Sequence, residues 1–152
     1  MNLGERGSAS RRKILVIGGT QFIGRALVPE LLKAGHDVSV LHRKPDHGFG
    51  KRVTNIVADR NDCEQMRRIL SEGRFEVVFD NVYDWERGTT AAHVEAAARA
   101  CGDRLHRYVF MSSVAAYGDG LNHHEGDALA PDDHPDPYVR NKATRERALF
   151  RL

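Results

Sequence analysis

Lys13-Ile14-Leu15-Val16-Ile17-Gly18-Gly19-Thr20-Gln21-Phe22-Ile23-Gly24 is the stretch that decides the fold. Its first half, Lys13 to Gly18, is a short continuous apolar run, the form of a strand buried on both faces. Its second half is a glycine-bearing turn that opens a helix. Phe22, Ile23, Ala26, Leu27, Leu31 and Leu32 form one apolar stripe, closed by Gly35. The spacing predicts a helix over 22–34, kinked at Pro29, where a missing N–H and a ring clash cost about 3 kcal/mol. A turn this tight favours residues without a Cβ, and the N–H groups exposed where a helix begins attract phosphate. Gly18 lets the strand turn and Gly24 lets the helix lie close to the sheet. Strand, glycine turn and amphipathic helix in that order favour a phosphate-binding unit over a plain βα turn.

Working outward, the pattern repeats. Short apolar strands are expected over 37–42, 53–58, 76–80 and 107–112, and helices over 62–72, 89–101 and from Pro137 to Leu152. Asp62 and Gln65 stand at capping-box spacing, and Gly73 and Gly102 stand where helices should stop. Strands alternating with helices imply a Rossmann-type, doubly wound parallel α/β sheet. Right-handed crossovers with a reversal after the third strand give the order 3-2-1-4-5.

The 152 residues, 41% hydrophobic and 29% charged, suit one domain over 13–152 preceded by a loose tail over 1–12. Basic and acidic side chains number 23 and 21, a net charge of +2 that argues against a nucleic-acid-binding role. No apolar run approaches the length of a membrane span, and the polar N-terminus lacks a signal-peptide core. Two cysteines, Cys63 and Cys101, make no disulfide framework, so a reducing cytoplasm is expected. His123-His124-Glu125 and Asp132-Asp133-His134 lie in a polar, proline-bearing loop without metal-ligand spacing, and no metal site is expected.

Gly18-Gly19-Thr20-Gln21-Phe22-Ile23-Gly24 closely resembles the opening TGGTGFIG of the extended short-chain dehydrogenases/reductases, the NAD-dependent epimerase/dehydratase family. Gln21 stands where the family has its middle glycine. The GGT-x-FIG form also resembles an atypical branch that includes the chloroplast stem-loop RNA-binding proteins. The resemblance implies that Gly18, Thr20, Gln21, Phe22, Ile23 and Gly24 receive the cofactor's diphosphate. At the end of the second strand His42 occupies the usual acidic place, and Arg43 could pair with a 2′-phosphate, so NADP is preferred to NAD. Ala58-Asp59-Arg60 is similar to the family's Gly-Asp pair, which places Asp59 at the adenine and Arg60 beside it. After the fourth strand Phe79-Asp80-Asn81-Val82-Tyr83 replaces an Ala-Gly pair, and Asn81 becomes the candidate for the nicotinamide-side ribose.

Tyr138 and Lys142, at i and i+4, share one helix face. A phenol with an ordinary pKa near 10 is a poor base at neutral pH, and a cation beside it favours the phenolate. With Ser113 at the end of strand five, this pair resembles the family's Ser, Tyr and Lys. The resemblance implies Ser113 and Tyr138 on the substrate oxygen and Lys142 on the cofactor ribose. It further implies an enzyme acting on a hydroxyl or carbonyl of a nucleotide-sugar-like small molecule. A homodimer through helices 89–101 and 138–152 is also implied, as are further strands beyond those seen, so the chain reads as an N-terminal portion. The alternative is a non-catalytic RNA-binding or regulatory protein on the same fold.

Overall fold

The computed structural model describes residues 10–152. Five strands, β1 (Lys13–Ile17), β2 (Asp37–His42), β3 (Val53–Val57), β4 (Val77–Asp80) and β5 (Arg107–Phe110), form one parallel sheet in the order β3-β2-β1-β4-β5. Four α-helices accompany them: α1 (Phe22–Lys33), α2 (Cys63–Gly73), α3 (Ala91–Ala100) and α4 (Pro137–Leu149). A 3₁₀ turn over Val114–Tyr117 follows β5. The expected fold class and strand order are those observed.

Alternation along β1 shows why its sequence is apolar throughout. Ile14 and Val16 pack with Val28 of α1 and with Val38 and Val40 of β2 on one face. Leu15 and Ile17 pack with Met66 and Leu70 of α2 and Ala97 of α3 on the other. Both faces are covered, so the four buried positions Ile14 to Ile17 are all apolar, and only Lys13, exposed at the strand's start, carries a charge. α4 lies against α3 and the Val114–Tyr117 turn.

Local chemistry departs from expectation in three places. Asp62 caps α2 by accepting from the Gln65 N–H, but the Gln65 side chain accepts from Asp59 N–H, not from Asp62, so no reciprocal box forms. Arg74, not Gly73, takes the left-handed conformation after α2, at φ 50°; a Cβ on Gly73 would strike the Phe75 ring. Residues 1–9 of the expected tail lie outside the described residues. Its last residue, Arg12, is docked, donating to Glu76 Oε1 at 3.0 Å while its carbonyl accepts from Asp37 N–H. Several boundaries also contract by one to three residues, β5 ending at Phe110, α4 at Leu149 and α3 running only over Ala91–Ala100. No helix among the described residues is long and apolar enough to cross a membrane.

Candidate functional site

Register lines the strand exits in a row. Ile17 stands opposite Leu41 and Asp80, and Asp80 opposite Phe110. The residues that follow, Gly18, His42, Asn81 and Met111, therefore rim one mouth at the carboxyl end of the sheet, where open α/β sheets bind ligands.

The glycine turn is shaped by backbone contact. Gly18 has φ +79°, and a Cβ there would meet Val82 Cγ2 at 2.6 Å. A Cβ on Gly24 would overlap the Gly18 carbonyl oxygen and lie 2.7 Å from Gly19 Cα. Gln21 is extended at φ −135°, a conformation open to any residue, so the turn survives the loss of its middle glycine. The positive φ falls one residue later, at Phe22 (43°), whose ring is 92% exposed beside exposed Ile23. No side chain caps α1 and its first turn holds no acid. By contrast Asp62 caps α2, His93 Nδ1 accepts from the Thr90 N–H at α3, and Asp136 accepts from Tyr138 and Val139 at α4. The open amides of α1 suit an anion.

Two orphaned groups stand on the same rim. Asn81 Nδ2 is buried without a partner, as is Nδ1 of His42, whose Nε2 pairs with Asn55 Oδ1 at 2.7 Å. Buried polar atoms left unpaired are costly, and ribose hydroxyls are of the right chemistry to satisfy them. Cradle and orphans together fit a dinucleotide.

On the opposite side of the mouth, Ser113 begins the 3₁₀ turn, its Oγ accepting from Ala115 N–H at 3.2 Å and its proton left available. Ser112 turns the other way, to Glu146. Tyr138 lies in an aromatic group: Trp85 stacks on it at 4.7 Å between centroids, and Tyr83 meets it edge-on at 4.9 Å. Lys142 is 4% exposed and donates to the Met111 carbonyl at 2.7 Å. Its ammonium sits over the Tyr83, Phe110 and Tyr138 rings, 5.6 Å from the last. Burial, and then the charge of Arg145, push its pKa down to about 8. Gly18 against Val82, then Tyr83 against Tyr138, links the glycine turn to the Ser-Tyr-Lys group.

The charged residues are committed differently than their positions suggested. Arg60, expected at the cofactor, is a correction: its guanidinium is sunk in the interior. Nε donates to both Asp80 oxygens at 3.0 Å, Nη2 to Oδ2 at 2.5 Å, and Nη1 to the His93 carbonyl. Tyr108 completes the pairing of Asp80 at 2.7 Å. Burial alone would raise the Asp80 carboxyl, but Arg60 overrides it and holds the group below the usual range. Asp59 accepts from Arg87 Nη2 at 2.8 Å and from Asn61 N–H. These bonds outweigh its burial and hold it low. Arg43, expected at a 2′-phosphate, is drawn toward Asp84 at 3.7 Å.

Arg145, Asp80, Tyr83, Arg87 and Asn141 are the participants that sequence reading missed. Asp80 carried a signal, an acid closing an otherwise apolar strand; the rest lie in segments whose pattern names no partner. A cleft of about 840 Å³ runs along the outer edge of β5, beside Tyr108, Phe110 and Leu149.

Comparison with known proteins agrees with this fold. The chloroplast stem-loop binding protein of 41 kDa b from Arabidopsis thaliana is 32% identical over 140 residues, 82% of this chain and 35% of that protein. UDP-glucose 4-epimerase of Neisseria meningitidis serogroup C is 30% identical over 163 residues, 91% of this chain and 47% of that enzyme. The structure of MoeE5 in complex with UDP-glucose and NAD is similar at a TM-score of 0.73 and 25% identity, covering 91% of this chain and 48% of that one. The chain thus spans less than half the length of these relatives. Residues 14–152, which carry the glycine turn, Ser113, Tyr138 and Lys142, match the model of the NAD dependent epimerase/dehydratase family, and this chain belongs to that family.

Proposed function

We propose that this chain is the dinucleotide-binding and proton-transferring part of an enzyme acting on a hydroxyl or carbonyl of a nucleotide sugar. One observation carries the reading. The uncapped start of α1 and the Ser113–Tyr138–Lys142 group open on the same row of strand ends, joined through Val82 and Tyr83. The backbone of residues 18–24 holds the diphosphate, His42 and Asn81 offer their orphaned nitrogens to ribose hydroxyls, and Asp59 borders the adenine. Bound NAD supplies hydride exchange. Tyr138 passes a proton to or from the substrate oxygen, and Ser113 donates its hydroxyl proton to that oxygen. Lys142, its cation beside the phenol ring, favours the phenolate.

The dinucleotide is NAD, not NADP as position alone suggested. Arg43 is engaged toward Asp84, and the MoeE5 complex holds NAD. The UDP-glucose named for two relatives supports the substrate class. Pairing of two copies through α3 and α4 belongs to the same proposal.

Trp85 is the single tryptophan and stacks on Tyr138, so its emission reports directly on the site. NADH should quench it saturably through energy transfer, with NADPH at least about tenfold weaker, a difference of about 1.4 kcal/mol. Absence of a saturable response to either dinucleotide would sink the reading. A stem-loop RNA that changes the emission, with a steep loss on adding salt, would favour the RNA-binding relative as the better guide.

A further inference from the structure

Arg145 is the largest fully buried side chain described. It stands on α4 one turn beyond Lys142, its guanidinium carbon 4.4 Å from the Phe110 ring centroid and 5.8 Å from that of Tyr83. The Lys142 ammonium lies over the same two rings. Nη2 donates to the Val82 carbonyl at 3.2 Å, while Nε and Nη1 are buried with no partner. The carboxylate facing it, Asp80, is already engaged by Arg60 and Tyr108. A buried guanidinium with two idle donors weakens a fold, so stability does not account for its presence. Its one bond ends on Val82, the residue whose methyl sits against Gly18. Asn141, also on α4, donates to the Tyr83 hydroxyl at 3.1 Å, so the helix grips the β4 exit at two successive residues.

We infer that Arg145 is a positioning residue of this site: it pins Val82 against Gly18 and places a permanent second positive charge beside Lys142. Its effect on the protein's own amine stands apart from the proposed reaction; only the consequence for turnover rests on that reading. The guanidinium cannot shed its charge near neutrality, so it disfavours the protonated amine. The other groups facing Lys142 are Asp80 on β4, backed by Arg60 and by Tyr108 on β5, then Tyr83 on the linker, and Tyr138 and Glu146 on α4 itself. The two acids pull the other way, toward the ammonium, and are outweighed by burial and Arg145.

The test is an NMR titration of the full chain with its five lysines labelled at Cε, Lys142 being assigned through Lys142→Met. In the native protein Lys142 should titrate near 8, apart from the other four lysines. Arg145→Met should raise that midpoint by about one pH unit, and Arg145→Lys should restore it. A purely structural role would lower the melting temperature of both variants and leave the midpoint alone. Lys142 titrating with the other lysines in the native protein overturns the inference, as does an equal midpoint in the two variants. If Arg145→Met does not fold, Arg145→Gln, which keeps a donor for Val82 without the charge, is read instead. Unfolding of both makes Arg145 a stability residue and also overturns it. Adding NADH to the same samples separates the two proposals. A shifted midpoint without NADH binding removes the cofactor reading and leaves the role of Arg145 standing.

Discussion

The two sides of the mouth are built on opposite plans. At the β1 exit, donors are left open: α1 has no cap, and the turn is made of backbone with glycine where a Cβ would collide. At the β4 and β5 exits, α4 spends its side chains on the protein itself, Asn141 on the Tyr83 hydroxyl, Lys142 on the Met111 carbonyl and Arg145 on the Val82 carbonyl. On the proposed reading the open set of amides receives an anion, whereas the closed set holds the reacting groups in place. One side owes its shape to sterics, within the turn at Gly24 and against Val82 at Gly18. The other depends on charges that meet only after the chain has crossed the sheet.

The sharpest way to break this contrast is at Asp80. It is the acid on which Arg60 depends, and removing one member of a buried pair leaves the other uncompensated. Asp80→Asn should cost about 3–5 kcal/mol in urea denaturation. Because the carboxyl is held below its unfolded value, its stabilisation is present at neutral pH and fades only in strong acid, below about pH 4. The variant should therefore lose the share of acid-induced destabilisation that Asp80 supplies, while the shares of Asp59, Glu76 and Asp84, also held low, remain. A cost under about 1 kcal/mol would show that the charged side is not closed in the sense described.

The glycine side should break by collision. Gly24→Ala puts a methyl group into the Gly18 carbonyl and Gly19 Cα, both backbone, which cannot swing aside. A loss of about 2–3 kcal/mol is expected, together with loss of the NADH response of Trp85. Full retention of both would mean that α1 can move off the turn.

The same division explains what could be read from the chain beforehand. The first unit followed from β1's apolar run and the helix-spaced stripe from Phe22, both local patterns, and strand order from the strand–helix alternation with right-handed crossovers and a reversal after the third strand. Gly18 and Gly24 were legible for that reason. Ser113 and Tyr138 stood out through resemblance and sit on the rim. Arg60 misled because adjacency to Asp59 carries no information about direction; the strand exit turns Asp59 outward to Arg87 and Arg60 inward to Asp80. Arg145 gave no warning at all. On a helix otherwise rich in arginine its residue type suggests solvent, and only packing against Phe110, Tyr83 and Val82 removes it from water.

Lys142 gives the smallest effect and the one whose sign is least expected. Its amine is buried with one hydrogen-bond partner, and its folded pKa of about 8 lies below the value near 10.4 of an exposed lysine. Between those values the unfolded chain binds more protons than the native one, so native stability gains as pH rises through that window. Lys142→Met lacks that gain. The variant should be about 1 kcal/mol more stable than the native protein at pH 7, the cost of the buried charge being removed and the cost of an unpaired Met111 carbonyl added. The gap should close or reverse by about pH 10, where the native amine is neutral. Urea denaturation at the two pH values reads this directly. Equal destabilisation at both would show Lys142 to be a packed strut holding β5 to α4, leaving the amine with no special place in the comparison.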